Sequence, residues 1–180
     1  MIDIFKLKSF FPLEDAQVKL KLFTKNNITD NYIDWLNDSA VVRYSNQRFM
    51  LHSHQSSLDY LQSFVNSENL LLAIYLKEED AFIGTMTVYI SSAHKTADVG
   101  ILIGDKTIWG RGIGRDAWAL VLRWLIDEAE IRKVTGGTLR CNRGMVKIMI
   151  NSGMNPDGVR LAQELIDGQA HDVLYFSKFK

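Results

Sequence analysis

Residues 104–117 decide how this chain is interpreted. They read Gly-Asp-Lys-Thr-Ile-Trp-Gly-Arg-Gly-Ile-Gly-Arg-Asp-Ala, with glycines at positions 110, 112 and 114. Glycines at alternate positions let successive backbone N–H groups turn toward one point. An apolar stripe at helical spacing begins at Ala117, so the positive end of a helix dipole adds to the same point. The stretch therefore predicts a loop that binds a phosphate or pyrophosphate group.

Residues 112–117 also match the G-x-G-x-x-A fingerprint of dinucleotide-binding proteins. That fingerprint turns directly out of the first strand of a parallel β-α-β unit, whereas here the predicted strand ends near Ile103 after an antiparallel meander. The next predicted strand also lacks the expected acidic residue. A dinucleotide-binding fold is therefore disfavoured, while a glycine turn that only joins a strand to a helix stays open.

The periodicity of the rest of the chain predicts a single α+β domain, residues 1–180, with a core at about 18–179. Strands are predicted at residues 18–23, 70–76, 82–90, 98–103, 134–141, 159–166 and 173–179. Helices are predicted from about residue 30 to 37, from Ser53 or Ser56 to before residue 69, at 115–129, and at 143–151 with Asn142 as the cap.

The composition excludes several kinds of partner. The 180 residues are 47% hydrophobic, and 21 basic residues balance 21 acidic ones, so no overall field attracts nucleic acid or a membrane surface. The single cysteine, Cys141, cannot form an internal disulfide, and only His52 and His54 lie close together in the sequence. Charged residues interrupt the apolar residues at the amino terminus. We expect a cytoplasmic monomer or homodimer without a metal site.

Residues 109–114, Trp-Gly-Arg-Gly-Ile-Gly, resemble the acyl-CoA pyrophosphate loop of the GNAT superfamily of N-acetyltransferases, whose pattern is [QR]-x-x-G-x-[GA]. Trp109 stands where Gln or Arg is usual, as in the branch that resembles ribosomal-protein N-terminal acetyltransferases. Asn142 and residues 150–154 resemble a later motif of the family, with Met154 in place of a Phe. The resemblance implies a mixed, mostly antiparallel sheet with flanking helices, acetyl-CoA as co-substrate and an amine as acceptor.

The resemblance also implies a set of cofactor-binding residues. In the family, the strand before the loop contacts the thioester and pantetheine through its backbone, the loop holds the pyrophosphate, and an Asn contacts the pantetheine arm. Carried onto this sequence, the set is Ile101, Leu102, Ile103, Trp109, Gly110, Arg111, Gly112, Ile113, Gly114, Arg115 and Asn142.

Acyl transfer to an amine needs a base for the amine and an acid for the departing thiolate. Asp98 falls where relatives place a catalytic glutamate, and its shorter side chain points to proton transfer through a water molecule. Relatives often place a Tyr that acts as the general acid seven residues after the motif Asn, but here that position is Met149. Tyr175 is the nearest alternative acid. A solvent-facing Asp98 and a core-filling Tyr175 both stay open.

The acceptor is less well defined by the sequence. Residues 43–48 contain two arginines and a tyrosine, which suit the phosphates or hydroxyls of a sugar nucleotide, or the acidic residues of a peptide; a solvated loop is the alternative. We predict an acetyl-CoA-dependent N-acetyltransferase acting on a small primary amine, such as a nucleotide-linked amino sugar. The alternatives are a protein or peptide N-terminus as acceptor, or a non-catalytic acyl-CoA-binding module.

Overall fold

A computed structural model describes residues 4–180 of the chain. Its eight strands form one sheet in the order β1-β2-β3-β4-β5-β6-β8-β7. The strands are β1 (Leu13–Glu14), β2 (Val18–Leu22), β3 (Leu70–Leu76), β4 (Ala81–Ser91), β5 (Thr96–Ile103), β6 (Lys133–Leu139), β7 (Asn155–Ile166) and β8 (Gln169–Phe179). Neighbouring strands are antiparallel except β5 and β6, which are parallel. The predicted α+β class with a mixed sheet is confirmed.

Five α-helices flank this sheet in the described part of the chain. They are α1 (Ile4–Ser9), α2 (Asp30–Asn37), α3 (His54–Val65), α4 (Ile113–Arg123) and α5 (Arg143–Asn151). The Thr29 side chain caps α2 by accepting a hydrogen bond from the Tyr32 N–H, and Ser53 rather than Ser56 caps α3. Both caps satisfy N–H groups that a helix start leaves without an intrahelical partner.

Two apolar clusters lie on opposite faces of the sheet. On the face of α4, the fully buried Trp118 and Leu122 pack with strand residues such as Met86. On the face of α2, Tyr32 and Trp35 belong to a second, smaller cluster. We call these the α4 face and the α2 face. No described helix is long and apolar enough to cross a membrane.

Several predicted boundaries differ from those in the structure. The helix predicted at 115–129 begins two residues earlier, at Ile113, and its last part is a π-helical turn, Trp124–Glu128. The strand predicted at 134–141 ends at Leu139, because the Leu139 carbonyl accepts a turn hydrogen bond from the Asn142 N–H. The strand predicted at 159–166 begins at Asn155, and its Pro156 is tolerated because β7 is an edge strand.

The first two elements, α1 and β1, were not predicted from the sequence. The helix has six residues and the strand has two. Elements this short contain too few residues for an apolar period to be recognised.

Candidate active site

The central feature of the site is an opening between β5 and β6. These strands pair over three residue pairs only, the last of which is Asp98 with Thr135. Beyond that pair, β5 continues to pair with β4 alone and β6 with β8 alone. Continuing the register by two residues on the same face brings Gly100 opposite Gly137, and neither residue has a side chain. We call this pair of glycines the open row.

The free edge of β5 offers backbone groups to the opening. The Ala97 carbonyl lies 3.3 Å from the Thr135 hydroxyl on the β6 side, and the Ile103 carbonyl accepts a hydrogen bond from the Trp109 indole at 3.1 Å. Because backbone groups of alternate strand residues point to the same edge, the N–H groups of Ile101 and Ile103 also face the opening. The backbone of Leu102 is directed toward β4, and its side chain packs in the α2-face cluster.

The glycine loop and the start of α4 present N–H groups without internal partners. Gly110 and Gly112 have positive φ angles of 78° and 85°, which glycine adopts without a steric cost. The first helical hydrogen bond runs from the Asp116 N–H to the Gly112 carbonyl at 3.1 Å. Within residues 4–180, no acceptor is found for the N–H groups of Gly110 and of residues 112–115. Such groups at a helix N-terminus form an anion site.

The other loop residues have structural contacts of their own. The Trp109 and Arg111 N–H groups bond to carbonyls of Lys106 and Ile108 within the loop. Gly114 lies inside α4, where an added Cβ would stand 3.5 Å from Ile103 and 3.7 Å from Ile148. The Arg115 guanidinium pairs with Asp116 at 2.8 Å. A Cβ at Gly114 would therefore make only ordinary van der Waals contacts. The exposed Arg111 side chain has no ion-pair partner among the described residues.

Asn142 caps α5 beside the carboxyl end of β6. Its side-chain oxygen accepts a hydrogen bond from the Met145 N–H at 3.2 Å, which confirms the predicted cap. Its amide nitrogen has no protein partner among residues 4–180. Met149, at the position of the family Tyr, is 1% exposed. It packs near Gly136 and Trp118, so this position fills the core.

Asp98 lies on the α2 face at the point where β5 and β6 separate. The Thr135 hydroxyl donates a hydrogen bond of 2.6 Å to Oδ2 of Asp98, and no described group bonds to Oδ1. The residue keeps solvent contact, but surrounding protein removes part of the water around its carboxyl group. This partial burial raises the pKa of Asp98, and the Thr135 hydrogen bond lowers it by less. A carboxylate with a raised pKa is a better proton acceptor than an ordinary Asp.

Two tyrosines and a threonine near Asp98 were not singled out from the sequence. Tyr89 is the cross-strand neighbour of Asp98, and its hydroxyl lies 3.0 Å from the Tyr60 hydroxyl of α3. Burial and the hydrogen bond with Tyr89 raise the pKa of Tyr60, so its hydroxyl stays protonated. The only sequence signal for Tyr89 was a polar group within an apolar strand. Thr135 gave none, because its partner lies 37 residues away.

Tyr175 borders the open row from β8. It pairs with Gly137, and its ring lies 3.0 Å from the position that a Cβ of Gly137 would occupy. The Arg160 guanidinium covers the same ring at 5.2 Å from its centroid. The Tyr175 hydroxyl forms no hydrogen bond with the described residues. Asp98 and Tyr175 therefore share one face, on opposite sides of the opening.

The arginines of residues 43–48 are already neutralised. Arg43 pairs with Asp167 at 3.1 Å, and Arg48 contacts the Glu164 carboxylate at 3.4 Å and the Leu165 carbonyl at 3.3 Å. These contacts join the segment to the β7–β8 hairpin. A phosphate would have to displace a carboxylate at either arginine, so the structure gives no support to the predicted phosphate recognition there.

A strand edge with unpaired amides that leads to an anion-binding helix start suits an acyl-CoA-dependent transferase. The family model of the acetyltransferase (GNAT) domain matches residues 17–155, and the chain belongs to this family. The probable N-acetyltransferase YjcK of Bacillus subtilis (strain 168) is 24% identical over 169 residues, which cover 91% of this chain and 90% of the relative. The predicted family and enzyme class are confirmed.

Solved structures share the fold at low sequence identity. The ribosomal L7/L12 α-N-protein acetyltransferase RimL, in complex with coenzyme A, has a TM-score of 0.80 at 13% identity and covers 92% of this chain and 95% of its own. The spermidine N-acetyltransferase of Vibrio cholerae, in complex with coenzyme A and spermine, has a TM-score of 0.80 at 16% identity, with coverage of 92% and 96%. The predicted fold and the acetyl-CoA co-substrate agree with these findings.

Proposed function

We propose that this N-acetyltransferase acetylates a small primary amine at the open row, with acetyl-CoA on the α4 face and the amine on the α2 face. The observation that carries the proposal is the opening itself. The β5–β6 ladder stops at Asp98 and Thr135, and the next row on that face consists of two glycines. A thioester can thus meet an amine through the sheet without displacing a side chain.

The unpartnered backbone groups fit the two polar parts of acetyl-CoA. The N–H groups of Gly110 and of residues 112–115 suit the pyrophosphate. The N–H groups of Ile101 and Ile103 suit the pantetheine amides and the thioester oxygen, and the free amide nitrogen of Asn142 suits the same arm. When bound, acetyl-CoA supplies the acetyl group as a thioester, whose carbonyl carbon accepts the amine.

The side chains beside the open row suit the two proton transfers. An ammonium group has no lone pair, so the acceptor must lose a proton before it attacks. Oδ1 of Asp98 is free to take that proton, directly or through water, while Thr135 holds Oδ2. The Tyr175 hydroxyl, on the other side of the opening, can supply a proton to the departing sulfur. The new amide bond then replaces the thioester bond.

The α2 face favours a small acceptor or a chain end over a side chain of a folded protein. Residues 43–48 are tied to the turn end of the β7–β8 hairpin through Arg43 and Arg48, so two segments distant in sequence contact each other. This contact leaves less room for a large acceptor. The neutralised arginines weigh against a nucleotide-linked amino sugar, so we propose a smaller primary amine.

The test combines ligand binding with a thiol assay. Acetyl-CoA at about 100 times its Kd should stabilise the fold by roughly 2.7 kcal/mol, a clear rise in Tm. A panel of primary amines should then give release of free CoA thiol above the rate with acetyl-CoA alone. The absence of a Tm shift with millimolar acetyl-CoA would remove the proposed cofactor site. A shift without thiol release for any amine would contradict the proposed acceptor class.

A further inference from the structure

No described acidic residue of the β7–β8 hairpin forms an ion pair with Arg160. Its guanidinium covers the Tyr175 ring at 5.2 Å, and it forms no ion pair with any described residue. The ring contact restricts the side chain, because an arginine over an aromatic face is held by cation–π attraction and stacking. Arg160 is therefore a positioned cation with free donors.

The acidic residues around Arg160 are committed to other partners. Within and beside the β7–β8 hairpin, the carboxylates pair with four different cations: Asp157 with Lys133, Glu164 with Arg48, Asp167 with Arg43, and Asp172 with Arg140. Asp172 also accepts a hydrogen bond from the Ala162 N–H. Each of these four carboxylates therefore has a cationic partner other than Arg160. The positive charge of Arg160 is thus available to an external anion.

Arg160 is also placed on the correct face and at a useful distance from the open row. Tyr175 pairs with Gly137 of the open row, so its ring forms one wall of the opening. The guanidinium stands over that ring, above β8, and β8 is one strand spacing of about 4.8 Å from β6. A molecule that reaches from the opening across two strand spacings, about 10 Å, would place its far end at Arg160.

We infer that Arg160, stacked on Tyr175, binds an anionic group of the acceptor, so that the preferred substrate is a small primary amine with a carboxylate or phosphate about 10 Å or less from its nitrogen. This inference rests on the proposed function. The amine end lies at the open row near Asp98, and the anionic end accepts hydrogen bonds from the guanidinium. Polyamines, whose far end is a cation, are poor substrates on this basis.

The test compares matched acceptors that differ in the anion. Suitable pairs are 6-aminohexanoate with hexylamine, trialanine with trialanine amide, and glucosamine 6-phosphate with glucosamine. In the wild type, kcat/KM for the anionic member should exceed that for its neutral partner by about tenfold to a hundredfold, the range for a hydrogen bond to a charged group. The carboxylate and phosphate arms show which anion the site prefers.

Arg160→Met should abolish this preference by raising KM for the anionic acceptors, with the KM for acetyl-CoA and the rates of neutral acceptors nearly unchanged. Arg140→Met is the matched control, because it removes one exposed positive charge from the same region, and Arg140 is bound to Asp172. The control should keep the preference. A merely structural role of Arg160 would lower Tm and affect neutral and anionic acceptors equally.

Three results would overturn the inference while leaving the proposed function intact: equal use of both members of every pair by the wild type, an unchanged preference in Arg160→Met, or an equal loss in Arg140→Met. If no amine of either kind releases CoA thiol although acetyl-CoA raises Tm, the proposed acceptor class fails and the role of Arg160 fails with it.

Discussion

Substitution of Asp98 by Asn tests the assignment of the base most directly. The amide keeps the size of the side chain, and its oxygen can accept the Thr135 hydrogen bond that Oδ2 accepts in the wild type at 2.6 Å. The basic oxygen at the other position is replaced by an amide nitrogen. If Asp98 takes the proton from the amine, kcat at neutral pH should fall by about 100-fold or more, the usual range for general-base catalysis.

The size of the defect should depend on pH in a calculable way. Without a base, only acceptor that is already neutral can react. Between pH 7 and pH 9 the neutral fraction of an α-amine with a pKa of about 7.8 rises about sevenfold, and that of an alkylamine with a pKa of about 10.4 rises about a hundredfold. The ratio of wild-type to variant kcat should shrink by the same factors. Stopped assays of thiol release at several pH values give this ratio.

The folding stability of Asp98→Asn should change in the opposite direction from its activity. The folded-state pKa of Asp98 is raised above its ordinary value of 3.8, so the folded protein binds this proton more tightly than the unfolded chain. The stability associated with this proton is present below pH 3.8 and is lost as pH rises through the folded-state pKa. At neutral pH the ionised carboxylate is therefore unfavourable to the fold, and Asp98→Asn should raise Tm slightly.

Asp157→Asn is a suitable control for the stability measurement. Asp157 is bound to Lys133 at 2.8 Å, which lowers the pKa of its carboxyl group. Its ionised form therefore favours the folded state at neutral pH, so this substitution should lower Tm.

A loss of kcat in Asp98→Asn that is the same at every pH would show that Asp98 only positions the acceptor. Nearly full activity at pH 7 would refute its role as the base.

Three further substitutions test the cofactor and acid assignments. Gly112→Val should prevent acetyl-CoA binding in thermal shift assays, because it introduces a side chain next to the proposed anion site at a φ of 85°. The control is Gly168→Val, at a φ of 78° in the β7–β8 turn. It causes similar backbone strain and should retain acetyl-CoA binding. Asn142→Ala should cost about 1 kcal/mol in chemical denaturation and raise the KM for acetyl-CoA, whereas Asn142→Ser should recover most of the stability but not the KM. Tyr175→Phe should lower kcat without changing Tm if the hydroxyl protonates sulfur, and unchanged kcat would assign that proton to water.

The local parts of this fold were predictable because their signals lie within a few residues. Alternating glycines before an apolar stripe predicted the loop and α4, and an Asn before another stripe predicted the cap of α5. The parallel pairing of β5 with β6 could not be predicted from such local signals. It depends on the register between strands 30 residues or more apart, and only the continuation of that register beyond Asp98 and Thr135 aligns Gly100 with Gly137.

Ion pairs between distant segments could not be predicted from the sequence either. Arg43 and Arg48 looked like free recognition residues, but their partners lie 124 and 116 residues later in the chain. Arg160 had no distinguishing sequence signal at all. Its position becomes informative only when the carboxylates around it are seen to be paired. Sequence composition gives the sum of the charges, whereas function depends on which charge is left without a partner.

In the proposed function the two substrates approach from opposite faces, and the contacts of α2 bear on how they would be aligned. The Trp35 ring lies so close to Gly104 that a Cβ there would overlap it, and Lys106 forms an ion pair with Asp38 just after α2. Gly104 and Lys106 begin the loop that leads to the anion site. One helix on the α2 face therefore contacts the segment that supports the cofactor loop. Catalysis by alignment is sensitive to displacements of about 1 Å, so in the proposed function we expect this contact to help hold the cofactor loop in position relative to the α2 face.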